Sequence, residues 1–305
     1  MSSQPQNQLM MGIVFALINA FMLAGMSLFA KLLATYFGPV EVTFFRNIFS
    51  LCALFIWFIL TGKLTTLKTQ RPFAHLFRGA IGTVGIILGA WALSIMPLAE
   101  TTILLFTAPL FVVLLSYPIL KEPVGIYRLG AVFIGFSGVI IMASPSSGGE
   151  ALPFIGIIIG LSWGFFAGCV DTCLRWMGKT ENATTTVFYF VLFGSITCSM
   201  HLPFAEIQPN SFSLDAFWII IGLGITGLLA LLAKTQSFRL GEASVIAPIM
   251  YSMIIWTMLF DYLFWNKMPT ANVMIGASII IASNIFIIYR ETKIRKKTGV
   301  FMNTD

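Results

Sequence analysis

The chain carries two copies of one pattern, and each copy holds an odd number of apolar spans. Segment 16–31 reads A-L-I-N-A-F-M-L-A-G-M-S-L-F-A-K, and 144 positions on, segment 160–175 reads G-L-S-W-G-F-F-A-G-C-V-D-T-C-L-R. Ala16, Ala20 and Ala24 fall on Gly160, Gly164 and Gly168, Asn19 on Trp163, and Lys31 on Arg175. The same offset lays M-P-L-A-E-T-T (96–102) on L-G-E-A-S-V-I (240–246). Five spans per copy force the second copy to lie inverted in a membrane, the internal symmetry that secondary transporters use. Few other folds satisfy that constraint.

The composition demands a bilayer. Of 305 residues 58% are hydrophobic and 10% charged, against roughly 25% charged in soluble domains. So few charges cannot coat a water-facing globule. The net charge of +6 does not point to nucleic acid, because Lys and Arg sit between apolar spans or in the tail Arg290–Lys297. The opening M-S-S-Q-P-Q-N-Q has no basic n-region or cleavage site, so the first span reads as retained rather than as a signal peptide. Cys52, Cys169, Cys173 and Cys198 all lie within spans. Cys169 and Cys173 share a helix face without a histidine nearby, so they read as packing residues; no metal and no cofactor is expected.

Helices of about 20 apolar residues cross ~30 Å of hydrocarbon. The pattern predicts ten, near 10–30, 40–60, 76–94, 99–119, 126–143, 152–173, 185–202, 216–236, 243–264 and 271–289, separated by turns such as Gly38-Pro39, Thr61-Gly62, Gln208-Pro209-Asn210 and Met268-Pro269. The organisation that follows is a first repeat at 9–143, a linker at 144–151, a second repeat at 152–290 and a basic tail at 291–305. With the N-terminus cytoplasmic, inside segments hold Lys63, Lys68, Arg71, Arg78, Lys121, Arg128, Arg175, Lys179, Arg239, Arg290, Lys293, Arg295, Lys296 and Lys297. Outside segments hold Lys31 and Lys267, and Arg46 and Lys234 lie within spans. This asymmetry predicts both termini inside and the linker outside.

Gly156, Gly160, Gly164 and Gly168 form a small-xxx-small stripe that reads as helix packing, with Ala16, Ala20 and Ala24 as a weaker counterpart. Their helical spacing, with no preceding strand, rules out a phosphate-binding loop.

Several stretches, in their order and spacing, resemble the EamA family of the drug/metabolite transporter superfamily. They are E-V-T-F-F-R (41–46), R-G (78–79), P-L-A-E-T-T-I-L-L-F-T-A-P-L-F (97–111), K-E-P (121–123), R-L-G-A-V-F-I-G-F-S-G-V (128–139) and A-S-V-I-A-P (243–248). Within the family, L-K-T-Q-R-P-F-A-H-L-F-R-G (67–79), E-V-T-F-F-R and I-I-Y-R-E (287–291) are most similar to S-adenosylmethionine uptake carriers of intracellular bacteria. Where family members often keep an acidic residue before the last span, this chain has Trp265-Asn266-Lys267-Met268-Pro269. The resemblance implies an all-α polytopic protein of the bacterial inner membrane. Its ten helices would form two inverted five-helix bundles that rock around a central cavity lined mainly by the first, third and fourth helices of each repeat.

Against that expectation, Asn19, Trp91, Trp163, Gln236 and Tyr251 are the candidate substrate-binding residues. They place rings and amides at mid-depth, away from the interfaces where Trp usually anchors; plain packing is the alternative for each. Arg46, Glu100, Asp171 and Lys234 are the coupling or gating candidates. Arg46 lies inside the second span, either as an anion contact, as a charge that re-pairs between states, or as a snorkelling residue paired with Glu41 or a helix end. Glu100 opens the fourth span, where a helix dipole favours a carboxylate. Asp171 is placed to pair with Arg175, Lys234 snorkels or faces the cavity with Thr235 and Gln236, and Asp261 is expected to reach the interface. Glu122 reads as a loop carboxylate. Pro109 and Pro248 are expected hinges, since each removes a backbone hydrogen bond inside a span.

The expected activity is transport of a small amphipathic metabolite, with S-adenosylmethionine the leading candidate and export of amino acids or organic cations the alternative. An intramembrane enzyme would need convergent catalytic groups, yet His75 and His201 lie near span ends on opposite sides. A channel would need a repeated polar filter. A non-transport membrane scaffold remains the rival of another class. Expected partners are the small-molecule substrate and membrane lipids.

Overall fold

In lipid every backbone polar group must be satisfied within the chain, and a helix does so locally. The computed structural model describes residues 6–62, 67–69, 71–121, 124–144, 152–177, 183–205 and 211–298, and among them there is no strand. Twelve α-helices follow in order: α1 (Gln6–Leu33), α2 (Pro39–Thr61), α3 (Pro72–Ile95), α4 (Leu98–Leu105), α5 (Ala108–Leu120), α6 (Ile126–Ala143), α7 (Phe154–Met177), α8 (Ala183–Ser199), α9 (Leu214–Leu240), α10 (Ala243–Met250), α11 (Met253–Trp265) and α12 (Ala271–Thr298). Two pairs, α4–α5 and α10–α11, are each one interrupted span, so ten helices are long and apolar enough to cross a membrane. The expectations for Lys63, Glu122, Lys179, the 145–151 linker and the Gln208-Pro209-Asn210 turn lie outside the described residues.

Turn chemistry sets several boundaries. Gly38 stands in extended conformation before Pro39 at the first turn of α2, where a missing N–H costs nothing. Gly62 closes the same helix in the left-handed region at φ 65°, its N–H reaching the carbonyls of Ile59 and Phe58. Ser213 caps α9, its hydroxyl oxygen accepting from the Ala216 amide.

The two repeats match element by element, with one revision of register. The starts of α2 and α8 are 144 positions apart, as the sequence alignment has it, but α4 and α10, and α5 and α11, begin and end 145 apart. The left-handed caps Lys121 (φ 56°) and Asn266 (φ 49°) also differ by 145. The second repeat holds one more residue from the start of α8 to the end of α9 than the first holds from α2 to α3, which a single-offset comparison cannot register.

Each repeat buries its first helix against the interrupted span of the other. On α7, a Cβ at Gly160 would stand 2.5 Å from Leu104 Cδ1, and one at Gly164 would stand 2.8 Å from the Leu104 carbonyl and meet the Thr107 hydroxyl. On α1, Ala16, Ala20 and Ala24 are fully buried, with Ala20 and Ala24 packed on Met253 at the start of α11. Without a hydrophobic force between helices in lipid, this close backbone approach holds the repeats together. A second seam joins α6 to α12, where the chains pass at Gly138 and Gly276.

The pseudo-symmetry is broken at the two ends of the bundle. The start of α4 packs on α11, and α1 packs on α3; the repeat-related pairs, α10 with α5 and α7 with α9, form no comparable interface among the described residues. The molecule is therefore closed on the face holding Lys31 and Asp261 and parted between α7 and α9 on the other. Asp171 and Lys234 are exposed on those two parted helices.

Candidate functional site

Between the repeats, beneath the closed face, lies a cavity with about 390 Å³ of atom-free space, its mouth included. Met26, Ser27 and Ala30 of α1, Val42, Thr43 and Arg46 of α2, and Ile86, Gly89, Ala90 and Leu93 of α3 supply one side. Trp163 of α7 and Leu223 of α9 supply the other. The second helix of the first repeat thus contributes three lining residues, and the interrupted spans contribute none. This differs from the family expectation of first, third and fourth helices.

Glycine makes room for the aromatic wall. A Cβ at Gly89 would lie 2.5 Å from Trp163 Cε2 and 2.8 Å from its Cδ2, and one at Gly85 would touch Phe166 Cβ at 3.0 Å. The Gly85–Gly89 step puts two bare backbone sites on one face of α3, and the indole lies across it.

Of the five sequence-predicted binding residues, only Trp163 lines this cavity. Trp91 is 44% exposed; at about 100° per residue it points roughly 140° around α3 from Ile86, onto the outer surface. Asn19 is buried and donates through Nδ2 to the Ala230 carbonyl at 2.7 Å. It ties α1 to α9 with a bond of about 0.6–2 kcal/mol in lipid. Tyr251 is buried edge-on against Phe106, ring centroids 4.8 Å apart. Gln236 is half-buried on α9, outside the lining. Depth was readable from the sequence; rotation about each helix axis was not.

The gating candidates separate onto two faces. On the closed face, Asp261 is 2% exposed rather than at the interface. Its Oδ1 accepts from the Leu98 amide at 3.0 Å and its Oδ2 from the Ala99 amide at 2.8 Å. A side chain of the second repeat thus satisfies the first free N–H groups of α4, the role a local cap usually takes. Lys31 donates to the Met96 carbonyl, and its ammonium stands 4.9 Å from the centre of the Trp265 ring. Glu100 is buried in the first turn of α4, and its Oε2 has no partner among the described residues. On the parted face, Asp171 lies within the fields of Lys234, Arg78 and Arg175, and the Arg78 guanidinium donates to the Thr186 carbonyl at 3.2 Å. Arg46 does not meet Glu41, which faces His201 at 3.6 Å; it opens onto the cavity instead.

Pro109 stands two residues after the break at Phe106–Thr107, and Pro248 three before the break at Tyr251–Ser252. Asn284 donates to the carbonyl of Phe106 at 2.7 Å, satisfying a group freed by the first break. Among the described residues no group of three His, Cys, Asp or Glu could hold a metal ion.

The model of the EamA-like transporter family matches residues 10–144 and 154–289, once for each repeat. The chain belongs to this family. It is a multi-pass transporter of the bacterial inner membrane, not an enzyme. An S-adenosylmethionine uptake transporter of Rickettsia bellii (strain RML369-C) is 29% identical over 292 residues, covering 94% of this chain and 96% of the relative. The S-adenosylmethionine uptake transporter of Rickettsia prowazekii (strain Madrid E) is 30% identical, covering 87% of each. A pseudopaline exporter of Pseudomonas aeruginosa (strain UCBPP-PA14) is 24% identical across 90% of this chain and 94% of its own. A crystal structure with 14% sequence identity superposes with a TM-score of 0.62 over 95% of this chain and 99% of that one, which speaks for the shared fold alone.

Proposed function

We propose that this EamA transporter is a secondary carrier for a small amphipathic organic metabolite, with S-adenosylmethionine the leading candidate. The cavity carries this reading, because it joins helices of both repeats and sets Trp163 in a mostly apolar wall that holds one charged side chain, Arg46. A planar ring such as adenine stacks on that indole, and a sulfonium over an aromatic face gains roughly 2 kcal/mol when desolvated. The relatives named as S-adenosylmethionine uptake transporters, matched over most of their length, favour the same substrate.

Movement follows by alternating access. The Asp261–α4 contact and Lys31 close the Lys31 face, and the gap between α7 and α9 opens the other toward Asp171 and Lys234. Exchanging the two arrangements between the repeats moves the opening across the membrane. Glu100, Asp171 and Lys234 are the proposed gating residues, Pro109 and Pro248 the proposed hinges, and the charge asymmetry puts the closed face outside.

The similarity to a pseudopaline exporter supports a second reading, export of an amino-acid-derived compound. Purified protein screened by thermal shift against adenosyl metabolites, amino acids and aromatic cations, then reconstituted for uptake and counterflow, separates the two. S-adenosylmethionine should stabilise the protein and exchange across the vesicle. Stabilisation and exchange by amino acids alone would move the assignment to export.

A further inference from the structure

The cavity lining contains one charged side chain, Arg46. Among the described residues its guanidinium makes no ion pair and no hydrogen bond: Glu41 is turned toward His201, and Ser50 donates to the main-chain carbonyl of Arg46, not to its side chain. A cation carried into a span is costly and is normally paired within the protein. The same lining holds Ser27 of α1, with a hydroxyl that no described residue engages, and Thr43, one turn before Arg46 on α2, whose hydroxyl is already donated to the Pro39 carbonyl at 2.8 Å. Ser27 is therefore free to donate, and Arg46 has its whole donor fork available.

We infer that Arg46 is the receptor for an anionic group of the substrate, completed by the Ser27 hydroxyl, and that this carrier takes organic acids and zwitterions bearing a planar group rather than simple lipophilic cations. The inference rests on the reading of the cavity as the substrate site, and it narrows that reading to a charge class. A carboxylate matches the guanidinium fork with two parallel bonds. A ligand whose only charge is positive meets the field of Arg46 with no carboxylate in the lining to offset it. For a zwitterion the carboxylate goes to Arg46 on α2 and the ring to Trp163 on α7, so one molecule bridges the two repeats. A site built around an unpaired donor rejects the analogue that leaves it unpaired.

The test is isothermal titration of the purified full-length protein with matched acid and ester pairs. S-adenosylmethionine and its methyl ester form the first pair, L-tryptophan and its methyl ester the second, and tetraphenylphosphonium is the simple cation. Wild type should bind the acid at least about tenfold more tightly than the ester, and tetraphenylphosphonium more weakly still. Arg46→Gln should bind acid and ester alike; Arg46→Lys should keep part of the preference, and Ser27→Ala should reduce it. A residue that only stabilised the fold would change melting temperature and leave the acid-to-ester ratio intact. An unchanged ratio in Arg46→Gln, or equal binding of acid and ester by wild type, overturns the assignment. If S-adenosylmethionine does not bind but L-tryptophan does and its ester does not, the substrate candidate fails while the anion receptor stands. Binding of tetraphenylphosphonium with no binding of either acid overturns the receptor itself.

Discussion

Trp163 lies against Gly89 so closely that a Cβ there would come within 2.5 Å of the indole. The wall of the cavity thus depends on a residue from each repeat, one supplying the ring and the other its space. Trp163→Ala is expected to lower transport by about tenfold or more, with membrane abundance near wild type, since loss of a desolvated cation–π contact of roughly 2 kcal/mol alone is worth that much. Gly89→Val should have a similar effect by displacing the ring. Uptake of radiolabelled substrate, scaled to protein detected in membranes, measures both. Unimpaired uptake in both variants would remove the indole from the site.

Breaking the closed face should populate the other state. Asp261→Asn keeps the shape but leaves one acceptor oxygen where the carboxylate offers two to the Leu98 and Ala99 amides, so one hydrogen bond worth about 1.5–3 kcal/mol when ionic is lost. A loss of that size shifts a two-state equilibrium about ten- to a hundred-fold. Ser116 and Ala243 are the repeat counterparts of Asp261 and Leu98 at the 145-residue offset, so Ser116→Cys with Ala243→Cys should cross-link more readily when combined with Asp261→Asn. Equal cross-linking with and without the Asp261 change would sink the link between this contact and gating.

Orientation has its own test. With the native cysteines replaced, a membrane-impermeant thiol reagent applied to intact cells should label Ser147→Cys and leave Thr298→Cys untouched. The reverse pattern would invert the topology and exchange the two faces.

Packing of the repeats should fail before transport does when the α7 stripe is filled. Gly164→Val would drive its side chain into the Leu104 carbonyl and the Thr107 hydroxyl, where backbone cannot yield. Overpacking of this kind costs about 1–3 kcal/mol or more. The expected result is reduced membrane abundance and a lower melting temperature, in contrast to Trp163→Ala. Gly125→Ala, where no atom lies within 4 Å of the added methyl, is the matching control.

The ten spans, the doubled architecture and the packing role of the small-residue stripes were legible in the amino-acid sequence. Each depends on chain-local physics: apolar length against bilayer thickness, glycine spacing on one helix face, and proline and glycine at turns. Trp163 and Arg46 were also recognisable as unusual residues at their depth. Tertiary structure alone decided which of the mid-depth residues meet. Trp91 and Trp163 lie at comparable depth, yet one points outward and the other across Gly89, because helix rotation is set by packing against neighbours. Asp261 looked like an interfacial residue until α4 was brought to it from the other repeat, and Glu41, one of the partners open to Arg46, turned to His201 instead. These are contacts between segments more than seventy residues apart or choices among local partners, and hydropathy, which records only whether a side chain prefers lipid or water, contains neither.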